Sequence, residues 1–348
     1  MTTLTQTAIT TRKIIRYGTF LVIFLIIAKI TLSIAIKTYR KIFPPPPPPP
    51  TVKYGRLPKL PFPDQTKPNL SFTLETAEGE LPKLSQQAKV YLMPKVSPSL
   101  LALDVAKEKA AALGFSPNEQ KVSETIYRFP NKLSSAVLEM NIVSGIFSIS
   151  YDLKVDSSPI SRKPPSPEIA ASMVRSYLSA ADLLPADLTG PTKNEFLKLE
   201  SDKFVPTLAL ADSNLVKINL FRKDYDNLPS LTADPGQANA WFMISGASER
   251  EKQIVAAEFH YFPIDESQFS TYPLKTAEKA WQEFNSGKFY LANLGTNKEN
   301  DNIKIRKIHI AYFDAGVATD FYQPIIVFEG DRDFVAYIPA VTADYYGE

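Results

Sequence analysis

The sequence predicts an α+β protein: an N-terminal transmembrane helix, then repeated helix-plus-antiparallel-hairpin units. Three observations predict it. One is an apolar run from Tyr17 to Ile36, another a block of seven prolines at Pro44–Pro50. The third is a set of later segments in which a helical spacing of three and four residues gives way to the two-residue alternation of a hairpin. On this reading residues 1–13 are a tail, 14–36 a transmembrane helix and 37–70 a proline-rich stalk. Residues 71–160 form a first α+β domain, and 161–348 a second that contains two helix-plus-hairpin units.

The run YGTFLVIFLIIAKITLSIAI holds 20 residues and one charge, Lys29. At ~1.5 Å per residue it matches the ~30 Å of a bilayer's hydrocarbon. A signal peptide competes, with Phe20–Ala28 as its apolar core and Ser33 and Ala35 near a cleavage site; the resumed apolar character from Ile30 to Ile36 favours an uncleaved anchor. Arg12, Lys13 and Arg16 precede the span, and Lys37, Arg40 and Lys41 follow it, so the positive-inside rule gives no vote for a cytoplasmic N-terminus. Moving three cations outward opposes the membrane potential, and long domains cross largely regardless of charge. The expectation is N-terminus inside and bulk outside. Lys29, Ser33 and Lys37 stand at i, i+4 and i+8. That stripe reads either as a lysine snorkelling to the interface or as one pairing with a polar group on another helix.

Pro44–Pro50 lacks backbone donors and has fixed φ, so it is expected as a polyproline II spacer of roughly 20 Å. Thr51–Asn69, with Pro58, Pro61, Pro63 and Pro68 and no hydrophobic period, reads as more linker. PxxP segments also serve as ligands for SH3-like domains, but a position directly after a span favours a spacer.

In the first unit Leu103, Ala106, Ala110 and Leu113 mark a helix face closed by Gly114. A strand near Val122–Phe129 follows. Alternation then predicts a hairpin through Ala136–Ile142 and Phe147–Leu153, turning at Ser144-Gly145. In the second, Ser166-Pro167 opens a helix whose buried face is read as Ile169, Met173, Tyr177, Ala180 and Leu184. A strand at Glu195–Glu200 and a hairpin over Phe204–Phe221, turning at Asp212–Asn214, complete it. In the third, Leu274, Ala277, Trp281 and Phe284 form the helix face, with Trp281 expected as the buried anchor on Ile310, Val327 and Val335. Strand Lys304–Phe313 and a hairpin of Pro324–Glu329 with Phe334–Ala340 follow. Further strands are expected near residues 71–76, 89–93, 238–245 and 253–262.

The motifs YPLKTAEKAW, KIHIAYFDA and YQPIIVFEGDRDFVAYIPAV, between Tyr272 and Val341, make the chain resemble the PepSY-related, YycH/YycI type of extracytoplasmic regulator. The resemblance spans about seventy residues and is mainly a hydrophobic pattern. It implies protein binding outside the membrane without catalysis. The polyproline block and the long middle depart from that family and leave the partner undetermined.

Composition excludes several chemistries. There is no cysteine, hence no disulfide, thiolate nucleophile or Cys-ligated metal. With 39 basic and 37 acidic residues there is no electrostatic footprint for nucleic acid. The two histidines, His260 in EFHYF and His309 in KIHIAYF, lack metal-ligand spacing, and no HExxH, GxSxG, SxxK or phosphate-binding glycine loop occurs. Glu329, Asp331 and Asp333, with Asp314 and Asp320 nearby, do not follow an EF-hand and read as turn chemistry, with Arg332 placed to satisfy one aspartate. Tyr261, Phe262, Tyr272, Tyr345 and Tyr346 are candidates for an exposed aromatic patch. The expectation is a non-enzymatic, cofactor-free envelope regulator or scaffold, membrane-bound through residues 14–36 and with a protein partner. The alternative is an envelope enzyme or glycan-binding module held off the membrane by its stalk, which requires a cleft with converging carboxylates.

Overall fold

A computed structural model describes residues 4–42 and 48–347. Helix α1, Leu4–Ile42, contains the whole apolar run, and it is long and apolar enough to cross a membrane. It extends past both sequence-based boundaries, beginning within the tail and continuing beyond Lys37. The lone Gly18 is tolerated within it. Pro44–Pro47, most of the expected polyproline helix, lie outside the described residues.

Residues from Pro50 onward make one compact unit. In chain order it holds β1 (Ser71–Leu74), β2 (Gln87–Leu92), α2 (Ala102–Ala112), β3 (Gln120–Lys121), β4 (Ile126–Pro130), β5 (Ala136–Asn141) and β6 (Phe147–Tyr151). Then come α3 (Pro167–Ala180), β7 (Thr192–Glu200), β8 (Lys203–Thr207), β9 (Leu215–Leu220), β10 (Ser230–Leu231), β11 (Ala240–Ile244), β12 (Ile254–Phe259) and β13 (Asp265–Pro273). Last are α4 (Ala277–Asn285), β14 (Tyr290–Asn293), β15 (Asn302–Phe313), β16 (Phe321–Tyr322), β17 (Pro324–Gly330) and β18 (Val335–Pro339).

These strands form a nine-stranded sheet in the order β3-β4-β5-β6-β12-β11-β9-β7-β8, a six-stranded sheet β1-β15-β17-β18-β14 with β10 also on β15, and a three-stranded sheet β13-β2-β16. The expected boundary at residue 160 therefore falls inside one sheet, since β6 pairs with β12 through Ile149↔Ala257 and its neighbours. The real division is an insertion. Strands β2 and β13 pair antiparallel through Val90↔Ser270, and the nine-stranded lobe is inserted between them. Contiguous segmentation missed it because both ends of the outer lobe return to one sheet system.

The alternation read from sequence is the alternation of burial in the β5–β6 hairpin, where Ala136, Leu138, Met140, Phe147 and Ile149 face α2 and α3 in one core. In α3 the buried residues are Ala170, Ala171, Val174 and Leu178, one step round from the expected face, and Ile169 is exposed. The alanines permit close approach to the sheet, so the bulkier Met173 and Tyr177 lie at the margin of the contact. The second expected hairpin also differs. Strands β8 and β9 do not pair; both flank β7, and the tight turn is Ser201-Asp202, with φ of 48° and 64°. Two consecutive positive φ values suit the right-handed twist of a two-residue hairpin.

Helices α2, α3 and α4 end alike. In each, the N–H groups of the two residues after the C-cap return to the last turn: Gly114 to Ala111 and Phe115 to Ala110, Asp182 to Ser179 and Leu183 to Leu178, Gly287 to Phe284 and Lys288 to Glu283. This is the Schellman arrangement, which needs a left-handed residue; Gly114 and Gly287 supply it, and Asp182 adopts it at φ 52°.

In the six-stranded sheet, β17 is apolar from Pro324 to Phe328 because both faces are covered there. Ile326 and Phe328 meet Ala280 and Phe284 of α4. Phe284 is the buried anchor, at 0% exposure, whereas Trp281 is half-buried beside it. Val327 faces the opposite way, since adjacent strand residues alternate. That second face is covered by Leu60 and Phe62. The segment expected as linker is thus a strap. Leu57 is fully buried in the core to which α4 contributes Ala280 and Phe284, the Lys53 amide donates to Ser270 Oγ at 2.8 Å, and the Leu60 amide donates to Tyr346 Oη at 2.9 Å. Its apolar residues lack a period because they serve two faces of one sheet in turn.

Candidate functional site

Chemically distinctive residues gather where the two lobes meet. Arg222 follows β9, a strand buried on both faces, and is itself 3% exposed. Its guanidinium donates through Nη1 to Asp187 Oδ2 and through Nη2 to the Phe262 carbonyl at 2.6 Å. Its Nε lies 3.0 Å from Asp314 Oδ2, an ion contact at an angle poor for a hydrogen bond. Asp187 also accepts from Tyr225 Oη and Tyr261 Oη, each at 2.9 Å. Burial works against the guanidinium's charge, but Asp314 and Asp187 outweigh it and hold its pKa above the ordinary arginine value. Burial, then the Asp187 charge, pushes the Tyr225 and Tyr261 phenols up, so both remain donors. The 186–190 loop fits tightly here: a Cβ on Gly190 would lie 2.2 Å from the Arg222 carbonyl oxygen.

A second carboxylate fixes the same junction. Asp226, at φ 53° in a turn, accepts from Lys89 Nζ at 2.6 Å, Tyr91 Oη at 2.6 Å and Tyr312 Oη at 3.1 Å. Tyr91, Met93, Tyr225, Phe262, Tyr312 and Tyr322 pack as one cluster between the charged groups. Rings of Tyr312 and Tyr322 stack at 5.0 Å. These groups come from β2, the turn after β9, the end of β12, β15 and β16, so the junction ties elements of all three sheets.

A cleft of about 450 Å³ opens beside this cluster, floored by Met93 and Phe262 and walled by Val96, Pro98, Val143 and Ala318. Its one carboxylate, Asp320, pairs with Lys95 at 3.1 Å. Its hydroxyls, on Thr125, Ser144 and Thr319, have no histidine among the lining residues to act as base. Next to it along the chain, Leu100 and Leu101 are 103% and 64% exposed, and Val105, one turn into α2, is exposed on the face of Leu101. The arrangement can bind apolar matter; it does not assemble a general acid with a base or a pair of converging carboxylates.

The acidic groups singled out from sequence are dispersed. Asp331 accepts from Arg306 at 2.7 and 3.2 Å, and that arginine's hydrogen bond holds its pKa below the usual carboxylate range. Arg332 pairs with Asp301 rather than with its neighbouring aspartates. Glu329 faces Lys307 and His309 at 3.5 and 3.7 Å. Asp314 is drawn into the Arg222 network. Among the described residues no three His, Asp or Glu gather as a metal site. His260 contacts Glu258 at 2.9 Å; burial lowers the pKa of His309. The five candidate aromatics do not form an exposed patch, because Tyr272 and Phe262 are buried and Tyr345 and Tyr346 pack on the six-stranded lobe. Sequence reasoning missed Arg222 and Asp187, which are far apart along the chain and belong to no motif; Arg222 stands two residues past a strand whose alternating Lys217 and Asn219 suggest a solvated face, whereas every residue of that strand is buried. Comparison of the sequence with family models and with curated proteins gives no match.

Proposed function

We propose that the chain is a single-pass, membrane-anchored protein of the cell envelope whose body lies outside the cytoplasm and binds another protein, without catalysis of its own. The observation that carries this reading is the exposed apolar run Leu100, Leu101 and Val105 beside a cleft floored by Met93 and Phe262. Contiguous apolar surface of this kind marks interaction sites. The apolar helix α1 and the proline block support anchoring with a stand-off. The cations Arg12, Lys13 and Arg16 ahead of the span support an inside N-terminus. Resemblance to the YycH/YycI type supports a regulatory role. The finer reading of the fold, copies of one helix-plus-hairpin unit, draws support from the shared helix endings; the strand orders of the three segments differ.

The test is the double variant Leu101→Ser, Val105→Asp in the full-length protein. Both side chains are exposed, so the melting temperature should hold, surface changes being worth about ±0.5 kcal/mol or less. Crosslinking in membranes, followed by identification of what is captured, should lose its main partner. Undiminished capture would contradict the assignment of this surface.

A further inference from the structure

Helix α1 carries one charge between its basic flanks, Lys29. From Arg16 to Lys37 the intervening 20 residues rise by about 30 Å, the hydrocarbon thickness itself. The flanking cations leave the helix little room to slide, and Lys29 then lies about 4 Å from the midplane. Its nearer boundary, at Lys37, is roughly 12 Å away along the axis, whereas the four-carbon stem of lysine reaches about 6 Å. Direction adds to the shortfall. Cα–Cβ bonds in a helix tilt toward the N-terminus, so the stem sets out toward Arg16, about 20 Å distant. Snorkelling therefore leaves the ammonium in hydrocarbon, and a charge there is compensated by a partner group.

No acidic residue precedes Asp64. A second copy of this chain would bring another lysine to the same depth and repel. We propose that Lys29 pairs with an aspartate or glutamate in a transmembrane helix of a different protein, making α1 a recognition element as well as an anchor. The proposal rests on the anchored reading above. Gly18 and Ser33 share the helical stripe of Lys29, and small residues on one stripe let a neighbouring helix approach closely.

The experiment places a photocrosslinking amino acid at Leu25 or Ser33, one turn to either side of Lys29, in the full-length protein. It is done in membranes of the cells that make it, after alkaline extraction has established whether the protein stays in the pellet. The expected result is an adduct with another protein, mapped to an apolar segment that contains Asp or Glu. Lys29→Leu should reduce it by at least about tenfold, from the cost of leaving the partner's charge unpaired, while the protein stays in the pellet; Lys29→Arg should retain it. An adduct only with itself, an adduct undiminished in Lys29→Leu, a mapped segment without an acid, or no adduct from pelleted protein would each overturn the pairing. Release by alkali, or a mature form starting near Ile36, would instead overturn the anchor and the pairing with it.

Discussion

Replacing Leu57 with alanine should lower the unfolding free energy by about 2–5 kcal/mol, the range for a fully buried leucine whose site cannot collapse. Leu57 is 0% exposed, and its amide and carbonyl are held by the Tyr345 carbonyl and the Gly347 amide, so the backbone is pinned and the cavity has little means of closing. Removing the strap altogether should be worse. A fragment starting at Ser71 uncovers Phe313, Ile325 and Val327 on one face of the six-stranded sheet and loses Leu57 from the other. Denaturant melts of fragments starting at Thr51 and at Ser71 check this. The shorter one should unfold at markedly lower denaturant or aggregate; equal midpoints would show that the strap is dispensable. The chain that leaves the proline block is tied to β13 within a few residues, the Thr51 and Lys53 amides donating to Thr271 Oγ1 and Ser270 Oγ.

Arg222→Ala should cost about 3–5 kcal/mol, because it strips Asp187 and Asp314 of their counter-charge inside the protein. Most of that loss comes from stranding buried carboxylates rather than from the ion pairs themselves, whose attraction largely offsets desolvation. The triple variant Arg222→Met, Asp187→Asn, Asp314→Asn should therefore recover a large part of it. Thermal unfolding of the single and triple variants decides: a single variant as stable as the parent would mean that the junction is not held by this arginine. Since Asp187 and Arg222 belong to the inserted lobe and Asp314 follows β15 of the other sheet, the single variant should also loosen the cleft between Val96, Val143 and Ala318.

What was legible in the sequence is whatever local periodicity decides. The apolar helix, the three later helices, two of them with glycine endings, the β5–β6 and β17–β18 hairpins and strands β11 and β12 all stand where spacing puts them. The remainder depends on distant contacts. Val52, Leu57, Leu60 and Phe62 look like linker until a two-faced sheet is there to receive them. Strand β13, DESQFSTYP, is exposed over much of its length and shows no apolar alternation; pairing with β2, from the far side of the inserted lobe, makes it a strand. Strand β7 comes between β8 and β9 because the Ser201-Asp202 turn pairs β7 with β8 first, and two left-handed residues without glycine give a weak turn signal. The Arg222 site had the least signal of all, since its acceptors come from residues 187 and 262 and its second counter-charge from residue 314.

The central claim, a body outside the membrane on a retained anchor, has a direct test because the chain contains no cysteine. Glu299 lies in the exposed loop between β14 and β15, so Glu299→Cys offers a single thiol away from the core. A membrane-impermeant maleimide applied to intact cells should label it, and the labelled protein should remain with the membranes through alkaline extraction. Labelling only after the cells are opened would reverse the orientation, and labelled protein released by alkali would remove the anchor.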